Sequence, residues 1–245
     1  MANIIGKRIG GNLVYVDRAA HDMRVVGVRT DDIVKFEFNP WTMGVQAEGG
    51  TGTDSHAFTT TVVEAGSGTS ELAASNTPGI KARLTTAANE NDGISLQAIG
   101  ENFELTSEQS MVYYCVSFAI NDVDQTDILG GLCITDTALL GGMTDGIYFE
   151  SVDGSATVST VTEKDSTETQ NDSVGTLVDA TFHTIEMFYN GTNARFFFDG
   201  SQTSEIHSTN LPDDEPLRVS LEFLPGEGTA NTCDIRHWRA YQIGI

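Results

Sequence analysis

Apolar and polar residues alternate over short stretches of this chain, with the two-residue period of β-strands. Residues 182–189 (FHTIEMFY) place Ile185 and Met187 on the more apolar of two faces. Asn190-Gly191 follows, a pair that tolerates the positive φ angles of tight turns. Residues 194–200 (ARFFFDG) then run to a second glycine. The segment therefore predicts a β-hairpin, which we interpret as scaffold and not as a site.

Similar strand-length segments recur along the chain and are separated by turn-forming Asp-Gly pairs. No amphipathic helix of ten residues is recognisable, and 25 glycines accompany only 5 prolines. Many short strands joined by turns favour an all-β sandwich. These predicted strands cover residues 93–100, 111–120, 127–135, 145–154, 155–162, 217–224 and 233–243.

The first forty residues differ from the rest. They contain four strand-like runs, too few to enclose a core of their own, so we expect a β ribbon that leans on a neighbour. A glycine- and threonine-rich stretch follows the turn-forming pair Asn39-Pro40. We therefore predict an N-terminal β arm for attachment (residues 1–40), a linker (residues 41–57) and a β-sandwich (residues 58–245).

Charge separates the same two regions. The formal net charge of the chain is −22. Residues 1–40 hold six basic and five acidic residues, a net charge of +1, so the remaining 205 residues carry −23. An acidic body repels phosphate, which argues against nucleic acid or an anionic membrane as a partner. The basic-enriched arm indicates a different neighbour from that of the body.

Targeting signals and cysteines give the cellular context. The start, MANIIGKRIGG, lacks the apolar core of a signal peptide, and no window approaches the ~20 apolar residues of a membrane span. Cys115, Cys133 and Cys233 are odd in number and show no CxxC spacing. We expect Cys115 and Cys233 to be small core residues and the chain to be made in a reducing compartment.

From Phe58 onward the order of features resembles the concanavalin A-like, laminin-G-like jelly roll. A long strand (residues 111–120) precedes a glycine-rich pair of strands, and a ribbon ending in Phe-x-Phe-Asp-Gly precedes the final strand. The chain also resembles jelly-roll domains in virion structural proteins of tailed bacteriophages. That resemblance implies a non-enzymatic capsid decoration protein, made in the host cytoplasm and located in the virion. The alternative that it implies is a lectin-like tail or fibre module that binds host glycan.

In the decoration hypothesis the arm contacts the major capsid protein or another virion subunit, and the protein forms homo-oligomers. Attachment would use the exposed edge of the arm and its basic side chains. The residues expected at the contact are Ile4, Ile5, Lys7, Arg8, Arg24, Arg29 and Trp41. Trp41 has a second interpretation, since an aromatic beside the linker can also cap one end of the sandwich.

One acidic run has the spacing of a catalytic motif. Glu163, Asp165 and Glu168 reproduce the E-x-D-x-x-E pattern of laminarinase-type glycoside hydrolases, which share the jelly-roll fold. Retaining glycosidases need two carboxyl groups about 5–5.5 Å apart. Here the surrounding run is polar and we expect no aromatic in reach, so we interpret it as a solvated turn with ordinary carboxyl pKa values. We expect no catalytic residues and no enzyme.

A second acidic run suits a hard cation. Asp122, Asp124 and Asp127 offer carboxylate oxygens that calcium prefers, but the glycine and final glutamate of the twelve-residue loop are missing. We expect an ordinary acidic turn, with calcium as the alternative and no other cofactor. The five histidines are dispersed without metal-ligand spacing.

Overall fold

The computed structural model describes residues 4–9, 12–17, 22–26, 33–40, 42–45, 57–63, 69–105 and 111–243. Eighteen β-strands lie in these ranges, with one 3₁₀ helix at Val123–Gln125 and one helical turn at Leu139–Gly142. The strands are β1 (Ile4–Ile9), β2 (Asn12–Asp17), β3 (Asp22–Val26), β4 (Ile33–Glu37), β5 (Phe58–Val62), β6 (Glu71–Ala74), β7 (Ala82–Thr85), β8 (Ile94–Ala98), β9 (Met111–Ile120), β10 (Thr126–Cys133), β11 (Gly146–Ser151), β12 (Thr157–Lys164), β13 (Thr167–Thr176), β14 (His183–Tyr189), β15 (Ala194–Phe198), β16 (Ser201–His207), β17 (Arg218–Pro225) and β18 (Thr232–Ile243).

Two antiparallel sheets pack face to face. The first has seven strands in the order β13-β12-β11-β10-β17-β8-β5. The second has eight strands. Seven of them follow the order β16-β15-β14-β9-β18-β7-β6, and the eighth, β4, also pairs with β18. Alternate residues of both sheets point inward and form one apolar core, as expected for a sandwich. The predicted all-β sandwich is confirmed.

The long strand β9 lies in the interior of the eight-stranded sheet and contributes to the core. Its predicted bounds, residues 111–120, are those of the structure. β9 lies between β14 and β18, and its inward residues Val112, Val116 and Phe118 are completely buried. Phe118 stacks on Phe149 of the opposite sheet, with 5.7 Å between the ring centroids. The strand therefore joins the two sheets at the middle of the core.

The predicted hairpin at residues 182–200 is also confirmed. β14 and β15 pair antiparallel, with Ile185 opposite Phe198. Gly191 has φ +94° in the connecting turn, where a residue with a β-carbon would be strained. The core-facing residues Ile185 and Met187 are buried, and Phe196 packs with them in the core. The hairpin is therefore part of the scaffold.

Strands β1, β2 and β3 form a separate three-stranded sheet with β2 in the centre. The register pairs Ile5 with Val16 and Tyr15 with Arg24. Among the strands described, none of these three is hydrogen bonded to the sandwich. Three of the four strand-like runs expected in residues 1–40 form this sheet, and its role as an arm for attachment stays a prediction.

The fourth N-terminal strand belongs to the sandwich, which corrects the predicted boundary at residue 40. β4 pairs with β18 over five residues. Its Phe36 and the following Phe38 pack around Trp238, and Trp238 stacks on Phe58 with 5.4 Å between the ring centroids. Burial of these aromatics places β4 in the core, so the sequence pattern was right about the strand and wrong about its partner.

The predicted linker, residues 41–57, is described only in part. Residues 42–45 form a turn in which Val45 is buried and Met43 packs against the core. Ala57 also contacts the core beside β5. These residues therefore continue the sandwich, and Trp41 and residues 46–56 lie outside the described residues.

Candidate functional site

The outer face of the seven-stranded sheet collects carboxyl groups. The register places the side chains of Asp127, Glu150, Glu163 and Glu222 on this face, away from the core. Glu163 is 5% exposed and Glu222 is 4% exposed. Buried carboxyl groups on one sheet face are the feature that most resembles a functional site in the described residues, so we call these four residues the acidic face.

Glu163 differs from the expected solvated carboxylate. It lies on β12 opposite Gly146, and the hydroxyl of Tyr148 donates to its Oε2 at 3.2 Å. Burial raises the pKa of Glu163, and the Tyr148 hydrogen bond lowers it to a lesser degree. The expectation of a polar run without an aromatic in reach is therefore wrong. The aromatic comes from the neighbouring strand β11, which linear sequence does not reveal.

The three carboxyl groups of the glycosidase spacing lie on different elements. Glu163 lies on β12, Asp165 lies in the turn and Glu168 lies on β13, directly opposite Glu163. Asp165 has φ +50° and its backbone N–H donates to Asp145 Oδ1 at 3.1 Å. The E-x-D-x-x-E spacing thus crosses a hairpin turn. Glu163 and Glu168 are directly opposed in an antiparallel pair and therefore share one face of the sheet, whereas Asp165 lies in the turn.

Glu150 is the carboxyl group of the acidic face with the largest shift. Burial raises its pKa to about 7, and the negative charges of Glu168, Glu163 and Asp172 add to the effect. Gln170 donates to Glu150 Oε1 at 3.4 Å. Glu150 therefore changes charge near neutral pH.

A segment of the chain covers part of this face. Residues 134–145, which we call the strap, join β10 to β11 and fold back over the outer side of the sheet. Leu139 and Met143 of the strap are buried against Leu129, Tyr148 and Val161. These three sheet positions are apolar and face outward, so they need a cover. The strap supplies it as a third layer.

Glu222 fastens the strap to the sheet. Its Oε2 accepts a hydrogen bond from the backbone N–H of Leu140 at 2.7 Å. Burial raises the pKa of Glu222, while the N–H groups of Leu140 and Leu139 lower it. The carboxyl group is therefore used to hold backbone and is not open to a ligand.

Aromatic side chains, which stack on sugar rings in many carbohydrate sites, are not displayed. From residue 34 onward, no Phe, Tyr or Trp side chain in the described ranges is exposed. Tyr148, the aromatic on the acidic face, is 4% exposed and lies in the cluster formed with the strap. This face therefore has no stacking platform.

The three aspartates considered as calcium ligands, Asp122, Asp124 and Asp127, make different contacts in the structure. Asp127 is buried, and its Oδ1 accepts the backbone N–H of Asp153 at 2.6 Å. Asp122 and Asp124 lie at the start of the 3₁₀ helix, where a hydrogen bond with Asp124 raises the pKa of Asp122. Within the described ranges, no group of three His, Cys, Asp or Glu side chains is arranged to hold a metal ion.

One histidine–aspartate pair has the composition of a catalytic dyad. His183 Nδ1 lies 2.8 Å from Asp199 Oδ2. The other ring nitrogen, Nε2, accepts the backbone N–H of Val178 at 3.1 Å. Since that nitrogen is already occupied, it cannot remove a proton from a substrate. The pair fixes the turn between β13 and β14.

The residues expected to contact a partner lie on the N-terminal sheet where they are described. Ile4, Ile5, Lys7 and Arg8 belong to β1, and Arg24 belongs to β3. Both strands are the outer strands of their sheet. Arg29 and Trp41 lie outside the described residues. The contact itself remains a prediction.

No model of a protein family and no curated protein matches this sequence. Solved structures do match. A prokaryotic β-1,3-1,4-glucanase (lichenase) derived from a mouse hindgut metagenome aligns with a TM-score of 0.55 and 15% identity, over 86% of this chain and 98% of that chain. The carbohydrate recognition domain of Emp47p aligns with a TM-score of 0.56 and 12% identity, over 89% and 100%.

A protein of unknown function from Shewanella oneidensis MR-1 aligns with a TM-score of 0.54 and 12% identity, over 87% of this chain and 86% of that chain. The fold is a concanavalin A-like jelly roll. At these identities the likeness establishes the fold alone, because this jelly roll carries unrelated functions. In the ranges described, no helix has the length and apolar character needed to cross a membrane.

Proposed function

We propose that this protein is a non-enzymatic structural protein of a tailed-phage virion. In this proposal it is a capsid decoration protein that attaches through β1–β3 and turns its acidic sandwich toward solvent. The observation that carries the proposal is the separate N-terminal sheet, whose strands pair only with one another among the described strands. A three-stranded sheet whose outer strands, β1 and β3, have no further partner among the described strands gains most by pairing with another chain.

Backbone pairing at those edges is the expected mode of attachment. An added strand from a capsid subunit would continue the ladder of β1 or β3, and side chains such as Lys7 and Arg24 would select the partner. Charge supports the orientation, because the body carries −23 and the first forty residues carry +1. Like-charged bodies repel one another and would stay dispersed on a crowded surface.

Three features of the sandwich favour a structural role over catalysis. The strap covers part of the acidic face, Glu222 is engaged with the strap backbone, and Glu163 is only 5% exposed. A retaining glycosidase needs two carboxyl groups that both face the same bound sugar. Glu163 and Glu168 share a face of the sheet, but burial of Glu163 leaves only Glu168 open to a bound sugar.

The experiment is a deletion at a boundary set by the structure. Removing residues 2–26 eliminates β1–β3 and leaves β4, so the sandwich should keep its far-ultraviolet circular dichroism and cooperative unfolding. Removing residues 2–38 also takes away Phe36 and Phe38 from the aromatic cluster, and we expect that protein to be strongly destabilised.

Binding is measured on purified virions of the phage whose genome carries the gene, stripped of this protein. The full chain should rebind and appear on the head by immuno-electron microscopy, and the protein lacking residues 2–26 should not. The proposal fails if the shortened protein rebinds equally well, or if mass spectrometry of purified virions does not find the chain.

The second candidate is a glycan-binding module. It is favoured by one feature, the gathering of Asp122, Asp124 and Asp179 at one end of the sandwich, where their charges interact. Carboxylate oxygens are suitable acceptors for sugar hydroxyl groups. A glycan array with and without calcium tests it. Reproducible binding that is lost in Asp122→Ala and kept in Asp213→Ala, an exposed aspartate outside this group, would favour the glycan module over the decoration protein.

A further inference from the structure

The strap is fixed firmly at its two ends. At its start, the side-chain amide of Gln97 donates to the carbonyl of Ile134 at 2.8 Å and accepts the N–H of Asp136 at 3.0 Å. At its end, the N–H of Ser166 donates to the carbonyl of Thr144 at 2.9 Å. These hydrogen bonds connect the two ends of the strap to β8 and to the turn after β12, and so hold both ends in place.

The middle of the strap, residues 137–143, is held differently. Leu139 and Met143 insert into the apolar cluster, and the N–H of Leu140 binds Glu222. Gly141 has φ +77°, and a β-carbon built on it would meet no atom within 4 Å. A free glycine beside two buried anchors is a suitable pivot. We call residues 137–143 the lid.

We propose that the lid opens and closes over the outer face of the seven-stranded sheet and that the charge on Glu222 controls the opening. Glu222 is the side chain beneath the lid that binds the lid backbone. When its carboxylate is buried without a cation, closure has an electrostatic cost that disappears on protonation. The lid is therefore a pH-sensitive cover built into the fold.

The surroundings of Glu222 contain little positive charge. The register places Ser95 of β8 and Leu129 of β10 opposite it, with Asp127 and Glu150 nearby on the same face. The other charged group nearby is Arg218, four residues away on β17, which is paired with Glu101 at 3.3 Å. The remaining groups that face Glu222 from the strands around it are Ser95, Gln97, Asp127, Leu129, Glu150, Ser220 and Leu224. From the lid it meets only backbone N–H groups.

The direction of the pH effect follows from linkage. Burial under the lid raises the pKa of Glu222, and the negative charge of Asp127 adds to this. With the lid open, Glu222 loses part of this burial, so its pKa moves back toward the ordinary value. The closed lid therefore binds the proton more tightly, so lowering the pH favours closure. Opening increases as the pH rises from the ordinary pKa to the raised one.

A buried cysteine provides the measurement. Cys133 lies in the apolar cluster under the lid, whereas Cys233 lies in the core between the sheets. The labelling rate of each thiol in the native full chain is followed with 4,4′-dithiodipyridine from pH 4 to 8 and assigned by mass spectrometry. Glu222→Gln keeps an oxygen acceptor and removes the charge. Glu168→Gln, an exposed carboxyl group of β13, is the matched control.

At each pH, Cys133 labelling in the wild type is divided by that in Glu222→Gln. The negative charge of Glu222 also raises the pKa of Cys133, and this direct effect lowers the ratio as the pH rises, opposite to the effect of lid opening. We expect this ratio to rise with pH by up to about tenfold per pH unit between the two pKa values of Glu222. Glu168→Gln should follow the wild type, and Cys233 should label far more slowly than Cys133.

Two results would overturn the inference. One is a ratio that does not change between pH 4 and 8. The other is equal labelling of Cys133 and Cys233, which would show that Cys133 reacts only when the whole sandwich unfolds. Leu139→Ala gives a second test, because loss of this anchor should accelerate Cys133 labelling at every pH. Should that variant not fold, the comparison of wild type with Glu222→Gln still decides.

Discussion

His207 should make the sandwich unstable in mild acid. It lies on β16, the edge strand of the eight-stranded sheet, and is 1% exposed. Its ring contacts the other sheet through Thr160 and Thr162 of β12 and Asn171 of β13, at 3.0, 3.1 and 2.7 Å. These bonds close one side of the sandwich, so their loss should weaken the contact between the sheets.

The hydrogen bonds define which ring nitrogen carries the proton. Thr162 donates its hydroxyl hydrogen to the carbonyl of Thr209, so toward the ring it accepts from Nδ1–H. The side-chain amide of Asn171 then donates to Nε2. The network therefore fits a neutral imidazole. Protonation of Nε2 would place two donors against each other.

The magnitude follows from the shift in pKa. Burial lowers the pKa of His207 to about 4, from 6.5 in an exposed histidine. A folded-state pKa below the unfolded one means that stability is complete above pH 6.5 and is lost as the pH falls toward 4. The difference corresponds to about 3 kcal/mol at most, with one pKa unit worth about 1.4 kcal/mol.

The assay is urea unfolding of the wild type and His207→Gln at pH 7, 6, 5 and 4. Carboxyl groups with raised pKa values, such as Glu150 and Glu222, act in the opposite direction in both proteins and cancel in the difference. We expect the stability advantage of the wild type to shrink by about 3 kcal/mol from pH 7 to 4. An advantage that stays constant, or a measured His207 pKa near 6.5, would refute the reasoning. His237→Gln, on the outer side of β18, serves as the histidine control.

Three further predictions concern packing and catalysis. Leu139→Ala should lower the free energy of unfolding by about 2–4 kcal/mol, and Val152→Ala, at an exposed position, by much less, as measured by urea unfolding. Gly131→Ala should destabilise the protein by about 1–3 kcal/mol or more, because the added β-carbon would lie 2.3 Å from a carbonyl oxygen of β11. In the control Gly228→Ala the β-carbon meets no atom within 4 Å, so thermal denaturation should show no change in stability. Hydrolysis of mixed-linkage β-glucan by the wild type should not exceed the buffer blank, and activity that disappears in Glu163→Gln would contradict our assignment.

Strands with apolar alternation were predictable from the sequence. β9 has its predicted bounds, and the hairpin of β14 and β15 begins and ends within two residues of its prediction. In each case the inward face is apolar and the turns contain glycine, so local pattern and tertiary structure agree.

Strand β13 was not predictable in this way. Its sequence, TETQNDSVGT, has no apolar alternation because it is an edge strand with a largely exposed surface. Ser173 has φ +59° close to the register shift between β12 and β13. A polar, irregular edge resists pairing with other chains. Its sequence therefore has the composition of a loop although it forms ten residues of strand.

The candidate site depended on contacts that sequence spacing cannot show. The strap joins consecutive strands, but its cover over Tyr148 and Val161 depends on which strands lie beside one another. Likewise, Glu222 binds Leu140 across 82 positions of sequence. Pairing order in a sheet is a property of the whole fold, and short patterns do not determine it.

The positions of the three cysteines determine how readily their thiols react and whether they can form disulfides. Cys133 lies beneath the strap, Cys233 between the sheets and Cys115 on the far side of the eight-stranded sheet, all of them buried. Burial raises the pKa of Cys115 to about 11 and raises those of the other two as well, so the reactive thiolate is scarce. Separate layers also prevent any two sulfurs from meeting while the chain is folded. No disulfide can therefore form among these three thiols within one folded chain, whether its surroundings are reducing or oxidising.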